Sequence, residues 1–308
     1  MSAESEADDA VVAVSQSWAR QQTLLAAMPW VFVGVWSTGF VVARLAMPHA
    51  PPLTFLSWRY VLSLLAFGVW IRWAGVAWPK GRAQWAHLAA SGLLMHAGYL
   101  GGVWAAVKAG IPAGTVALIV GLQPLLTALW VHARGQQRVS ASGWLGLALG
   151  LLGLVLVVWP KLGTGEVTAF NFTLALLALL SITAGTLYQK RYVTLVDVRS
   201  GNFVQLLAAL AVTLPLAAFE PGSMQWDPEL LLALAWSVLG LSLGASSLLM
   251  MLIQRGAATR VASLFYLVPP CTALLAWALF GEVMTAATWA GMALCAGAVA
   301  LVRRAQTA

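Results

Sequence analysis

Polar and apolar positions in this chain alternate in long blocks, without the short period of a half-buried strand. Ten apolar runs stand at about 24–46, 53–72, 84–107, 112–132, 141–160, 170–190, 201–219, 229–253, 260–280 and 286–302. Such runs have the length a helix needs to cross a hydrocarbon core about 30 Å thick. The breaks between them are short and often hold Pro or Gly, as at Pro48 to Pro52, Pro79-Lys80-Gly81, Pro160 to Gly165 and Pro221-Gly222, and no soluble domain fits there. The pattern predicts an all-α integral membrane protein with ten transmembrane helices. Residues 1–23 begin acidic and lack the basic start of a signal peptide, which predicts a disordered cytoplasmic tail.

The blocks repeat. Shifting the chain by 146 residues superimposes Gly110 on Gly256, Pro124 on Pro270, Leu129 on Leu275 and Gly135 on Gly281. The same shift places Gly39 on Gly185, Arg44 on Lys190, Arg59 on Gln205, Ala89 on Ala235 and Gly98 on Gly244, and one further skipped residue aligns Trp144 with Trp289. Glycine and proline have backbone consequences that other residues do not reproduce, so their coincidence carries weight. The expected units are residues 24–160 and 170–302. Each holds five helices, an odd number, so the second enters the membrane the other way up. The prediction is therefore two inverted five-helix repeats, an arrangement that puts substrate sites near the midplane between the halves.

Composition strengthens this picture. Of 308 residues, 61% are hydrophobic and only 9% charged, far below the share of about 25% usual for soluble domains. The net charge of +7 points to no nucleic-acid partner, because the 17 Lys and Arg are scattered between apolar runs. Their distribution sets orientation instead. One set of alternate loops holds Arg20, Arg72, Lys80, Arg82, Arg134, Arg138, Lys190, Arg191, Arg199, Arg255, Arg260, Arg303 and Arg304; the other holds only Arg44, Lys108 and Lys161. Both termini are expected to be cytoplasmic, in a multi-pass protein of a bacterial inner membrane. Cys271 and Cys295 lie within apolar runs and offer neither a metal spacing nor a disulfide framework. No metal or cofactor is expected.

Several polar or aromatic residues stand where lipid alone would not select them. His96 and Tyr99 lie three apart in the third run, on one face, with Trp104 further along. An ionisable residue inside the membrane is a functional candidate, although a neutral histidine bonded to a neighbouring helix is an equal alternative. Across the repeat, His96 corresponds to Ser242 and Tyr99 to Ala245, with Ser246 one turn on. Trp36, Ser37 and Phe40 correspond to Ile182, Thr183 and Thr186. Bulk on one wall facing hydroxyls on the other makes an asymmetric, partly aromatic cavity, to which Trp36, Trp104 and Trp58 are expected to contribute. Arg59 lies some six residues into the second run with no acid in any apolar run to pair with it. It either binds a substrate carboxylate, bonds to carbonyls and hydroxyls, or reaches outward to the membrane surface.

Pro124 and Pro270 each remove a backbone donor within a membrane run and so predict kinks that could serve as hinges of two gates. Gln123 and Tyr266 add polar groups there; a static kink that only improves packing is the competing reading. Gly143, Gly146, Gly150 and Gly153, with Gly291, Cys295 and Ala298, form small-residue ladders. These predict close packing of the fifth and tenth helices within their own repeats in preference to dimerisation, and the protein is expected to act as a monomer.

Trp36 to Phe40 (Trp-Ser-Thr-Gly-Phe), Arg59-Tyr60, and the proline-containing fourth and ninth helices ending near Gly135-Gln136 and Gly281-Glu282 resemble the drug/metabolite transporter superfamily. More narrowly, residues 24–302 are similar to its EamA-type ten-helix members. The 16 Trp and 5 Tyr are similar in kind to the YddG-type amino-acid exporters within them. The resemblance implies a carrier working by alternating access, with a central cavity lined by helices 1 to 4 and 6 to 9 and with helices 5 and 10 peripheral.

Other functions lack residues to run on. The chain has no HExxH, no paired intramembrane aspartates, no Gly-x-Ser-x-Gly and no Walker A loop, and none of its lysines lies in mid-helix. An enzyme is not expected. The expected function is export of a small molecule, an aromatic or large neutral amino acid or a related metabolite, driven by its own gradient. The alternative is a cationic-drug exporter coupled to proton antiport through His96.

Overall fold

A bilayer offers no water to the backbone, so each crossing segment must satisfy its own N–H and C=O groups, and a helix does this within one segment. The computed structural model describes residues 27–134, 140–162, 164–193, 195–254, 265 and 267–307. Among them, ten helices follow in order. They are α1 (Ala27–Ala46), α2 (Pro52–Trp73), α3 (81–108), α4 (113–133), α5 (Ala141–Leu162), α6 (Ala169–Tyr192), α7 (Val198–Ala217), α8 (Pro228–Gln254), α9 (Val268–Phe280) and α10 (Ala286–Thr307). Seven of these segments are long and apolar enough to cross a membrane by length and composition alone. The large exposed residues on their outer faces, such as Leu65, Val69, Leu177, Leu232 and Leu239, present the apolar surface that lipid requires.

The helix ends follow from local chemistry. Pro52 and Pro228 open α2 and α8, where a missing N–H costs nothing. Thr168 and Asn171 cap α6 reciprocally, and the Asn171 amide also donates to the carbonyls of Ala109 and Glu166. Gly281 closes α9 at φ 64°, a left-handed turn that favours glycine.

Two irregularities sit at equivalent places in the two halves. In α3, residues Leu93–Gly98 are π-helical, and the Tyr99 N–H reaches back to the Leu94 carbonyl. In α8, Ser237–Ala245 are π-helical, with the Ser246 N–H bonded to the Leu241 carbonyl. A shift of 146 residues carries 93–98 onto 239–244, inside the second segment. The α3 π turn is flanked by close neighbours: a Cβ on Gly98 at its end would stand 2.1 Å from Ser181 Oγ of α6, and one on Gly92 just before it 2.3 Å from the Gln205 carbonyl oxygen of α7.

The break in α4 falls slightly ahead of Pro124. Helix stops at Val120, Gly121 and Leu122 turn, and a second segment begins at Gln123. Pro124 has no N–H to offer the Val120 carbonyl, which accounts for the stop. Pro269 of α9 seats against the break, 2.5 Å from where a Gly121 Cβ would be. The proline-bearing helices of the two halves therefore meet where α4 breaks and the first turn of α9 begins. Pro270 lies in the first turn of α9 as described, and Tyr266 lies outside the described residues.

Helices α5 and α10 differ from the expectation of packing within their own repeats: they pack against each other. A Cβ on Gly291 would meet Val157 Cγ2 at 2.4 Å and the Gly153 carbonyl oxygen at 2.7 Å, so the two backbones nearly touch. The small-residue ladders announce a close approach, and the approach joins the two halves.

Candidate substrate site

Helices α1, α2, α3 and α8 border a narrow cleft of about 30 Å³, lined by Trp36, Gly39, Phe40, Arg59, Tyr99, Leu100, Val103, Trp104, Leu241 and Ser246. That is far below the range of about 300–1,000 Å³ for ligand pockets, so a substrate requires the walls to part. Its walls are aromatic and already packed. Trp36 and Tyr99 are stacked, ring centroids 6.1 Å apart and nearly parallel, and Phe32 and Phe265 pack against Trp36 at 5.2 and 5.4 Å. Trp104 is buried with Phe55 stacked on it at 4.5 Å.

Arg59 supplies the charge. It is 3% exposed, and it is the one buried Lys or Arg among the described residues. Its Nε donates to Ser242 Oγ at 3.0 Å, joining α2 of the first half to the π segment of α8 in the second. No described carboxylate pairs with it, and a buried guanidinium without a counterion is costly. Its side chain borders the cleft.

The equivalent position in the other half is neutral. Gln205 stands where the repeat puts Arg59, and its Nε2 donates to Ser91 Oγ and to Gln189 Oε1, each at 3.0 Å, while Ser91 Oγ donates to Gln189 at 2.9 Å. The Gln205 amide also lies beside the His96 ring. The crossing of α7 with α3 has thus closed its polar groups on one another, whereas that of α2 with α8 leaves a cation at a cavity.

Of the residues expected from the sequence, the cleft brings together Trp36, Phe40, Arg59, Tyr99, Trp104 and Ser246. Ser242 stands behind it, holding Arg59. The others lie apart from that lining. Ser37 Oγ donates to the Val33 carbonyl at 2.7 Å and Thr183 Oγ1 to the Leu179 carbonyl at 2.7 Å, both local bonds within a helix. Gln123 Nε2 donates to Thr186 Oγ1 at 3.0 Å, joining α4 to α6. His96 is buried between α2, α3 and α7; its carbonyl accepts from Tyr60 at 2.8 Å, and its Nδ1 has no hydrogen-bond partner. Trp58 departs from its expected place: it is 44% exposed and packs edge-on against Trp226, because its position on α2 faces away from the cleft. Leu100, Val103 and Leu241 gave no sequence signal, being indistinguishable from lipid-facing apolar residues. The role of Gln205 was visible in principle, as the repeat counterpart of Arg59.

On the side of the α1–α2 and α7–α8 loops, the halves are tied by charge. Glu220 accepts from the Leu53 and Thr54 amides at 2.9 and 2.8 Å and from Thr54 Oγ1 at 3.1 Å, capping the N-terminus of α2. His49 pairs with Asp227 and Glu229, and Lys108 Nζ donates to the Met47 carbonyl at 2.6 Å.

Known proteins share both the sequence pattern and the fold. The EamA-like transporter family matches residues 24–159 and again residues 170–304. A protein of Salmonella typhimurium described as a probable amino-acid metabolite efflux pump is 25% identical, over 85% of this chain and 89% of its own. The uncharacterized inner membrane transporter YedA of Escherichia coli K12 is also 25% identical, over 87% of each. An uncharacterized transporter of Bacillus subtilis, YvbV, matches at 25% over 87% of this chain and 88% of its own. One solved crystal structure superposes with a TM-score of 0.67 over 90% of this chain and 96% of its own, at 18% identity, a likeness of fold.

Proposed function

The chain belongs to the EamA-like transporter family, and on that premise we propose that it exports aromatic or large neutral amino acids, or metabolites made from them, from the bacterial cytoplasm. It is a multi-pass membrane transporter and not an enzyme. In this reading it works as a monomer in the inner membrane, both termini cytoplasmic, by alternating access and driven by the substrate gradient.

One observation carries the reading: a buried guanidinium, Arg59, borders an aromatic cleft and has no carboxylate among the described residues to neutralise it. A substrate carboxylate completes it through the guanidinium fork. Trp36, Phe40, Tyr99 and Trp104 supply contact area for a large side chain, and Ser246 a hydroxyl for orientation. Ser242 fixes the tilt of Arg59, and the break before Pro124 and the start of α9 at Pro270 act as hinges. Ser37, Gln123, Thr183 and Tyr266 would serve as polar positions along the path. The relatives' description as amino-acid metabolite efflux pumps supports the substrate class.

The export of cationic drugs by proton antiport has less support, since the cleft holds a cation and no acid. Purified protein in liposomes, loaded in turn with labelled amino acids and quaternary ammonium compounds, separates the two. Counterflow of large neutral amino acids or their derivatives without a pH gradient is expected. Uphill uptake of quaternary ammonium driven by protons would sink the reading.

A further inference from the structure

We infer that the cleft selects aromatic carboxylates that carry no free ammonium group, such as 2-oxo, 2-hydroxy or N-acyl derivatives of aromatic amino acids, over the zwitterionic amino acids themselves. The inference rests on the export reading above and narrows its substrate.

A free amino acid brings two charges into the site, and the site can answer only one. Arg59 meets the carboxylate. Its sole hydrogen bond among the described residues leaves from Nε to Ser242, so no described residue occupies the fork of Nη1 and Nη2. An ammonium would need an anion or several good acceptors. The described acids are all engaged or placed elsewhere: Asp197 with Arg199, Glu220 on the end of α2, Asp227 and Glu229 with His49, Glu166 before α6, and Glu282 beyond α9. None lines the cleft. The four remaining acids of the chain, Glu4, Glu6, Asp8 and Asp9, stand at its N-terminal end, before the first apolar run.

Aromatic faces are the other way to hold an ammonium. Here most are turned on one another. Trp36 and Tyr99 stack together, Phe55 covers a face of Trp104, and Phe32 and Phe265 crowd Trp36. The hydroxyl of Ser246 is a single weak acceptor. An ammonium in this cleft would also lie beside the Arg59 cation in a medium of low dielectric constant, where like charges repel strongly. A monoanion instead forms a neutral pair with Arg59 and leaves nothing charged over. An N-acyl, keto or hydroxyl group in the ammonium's place removes that charge, and a small polar group can be met by Ser246.

The test uses the full chain in liposomes with counterflow of labelled 3-phenyllactate. Unlabelled 3-phenyllactate, its methyl ester, N-acetylphenylalanine, phenylalanine and phenethylamine compete. The expected result is that 3-phenyllactate and N-acetylphenylalanine compete at concentrations at least tenfold lower than phenylalanine, and that the methyl ester and phenethylamine do not compete. Arg59→Gln should abolish carboxylate counterflow and Arg59→Lys retain part of it, each with an unchanged size-exclusion profile. Gln is chosen because Gln205 fills the same position in the other half. Phenylalanine competing as well as 3-phenyllactate, or the ester as well as the acid, would overturn the inference while export stands, and that comparison holds even if the Arg59 variants do not fold. Failure of every carboxylate and amino acid to counterflow would overturn both.

Discussion

Arg59 Nε and Ser242 Oγ lie 3.0 Å apart, and the repeat counterparts of these residues, Gln205 and His96, also lie side by side. The same crossing, of a second helix with a third, has been built twice and charged once. Ser242 is the only hydrogen-bond partner of that charge among the described residues, and a bond to a charged group contributes about 1.5–3 kcal/mol. Ser242→Ala should therefore let the guanidinium swing and raise the KM for a carboxylate substrate roughly 10- to 100-fold. Maximal rate should change little, and Ser242→Thr should restore KM. An unchanged KM in liposome counterflow would mean that Arg59 is held by packing alone.

Gly98 is the point of closest approach of the α3 π segment to α6. An alanine Cβ there would stand 2.1 Å from Ser181 Oγ, which itself donates to the Leu94 carbonyl at 2.8 Å. Gly98→Ala alone should destabilise the protein by about 1–3 kcal/mol through overpacking. Gly98→Ala with Ser181→Ala should recover part of that loss, because the obstructing oxygen is gone. Thermal unfolding of the single and double variants in detergent measures the coupling; strict additivity would show that α3 moves aside freely.

The repeat was legible in the sequence because Gly39, Gly98, Pro124 and Gly135 have counterparts at one fixed shift, and few other residues can replace glycine or proline. The π segments were not legible, since one extra residue in a turn changes backbone bonding without changing composition. Trp36 and Trp58 both looked like candidates for the cavity. Depth along a helix can be counted, but which face meets a neighbour is decided by packing, and it turned Trp58 toward Trp226. The small residues of α5 and α10 declared a close contact and could not name its other side. Glu220, which caps α2, lies 166 positions from Thr54, a separation no local pattern bridges.

Gly150 and Gly291 both sit in the α5–α10 seam, and they differ in what blocks a larger residue. The added Cβ at Gly150 meets Leu125 Cδ1 at 2.4 Å, the end of a flexible side chain. At Gly291 it meets the Gly153 carbonyl oxygen at 2.7 Å as well as Val157. Gly291→Ala should thus lower the unfolding temperature clearly more than Gly150→Ala, and neither should change substrate preference. Equal shifts would show that the backbones separate as easily as Leu125 rotates.

Glu220 holds the first turn of α2 through two amides and a hydroxyl, against the helix macrodipole. Its loss leaves those donors free on the side where His49 meets Asp227 and Glu229. Glu220→Ala should loosen that side and speed modification of a Thr54→Cys reporter by a membrane-impermeant maleimide. Glu220→Gln, which can still accept, should fall between. Reporter rates equal to those with Glu220 intact would assign the closure to apolar packing.

Asp197 caps α7 and receives Arg199 Nε and Nη2 at 2.9 and 2.7 Å along with the Arg199 backbone N–H. The side-chain bond from Arg199, more than the opposing partial burial, holds this carboxyl below its ordinary value of 3.8. A carboxylate lowered on folding adds stability above its unfolded pKa, and that contribution disappears as the pH falls through the folded one. Asp197→Ala should cost about 1 kcal/mol at neutral pH, as expected for a lost N-cap. Asp197→Asn keeps the cap and loses the charge, so it should cost less. Because protonated Asp197 no longer pairs with Arg199, the gap between the wild-type protein and Asp197→Asn should narrow as the pH is taken below the carboxylate range. Thermal unfolding at neutral and acid pH reads this directly, and a gap that persists in acid would place the stabilisation in packing around Arg199 and not in the ion pair.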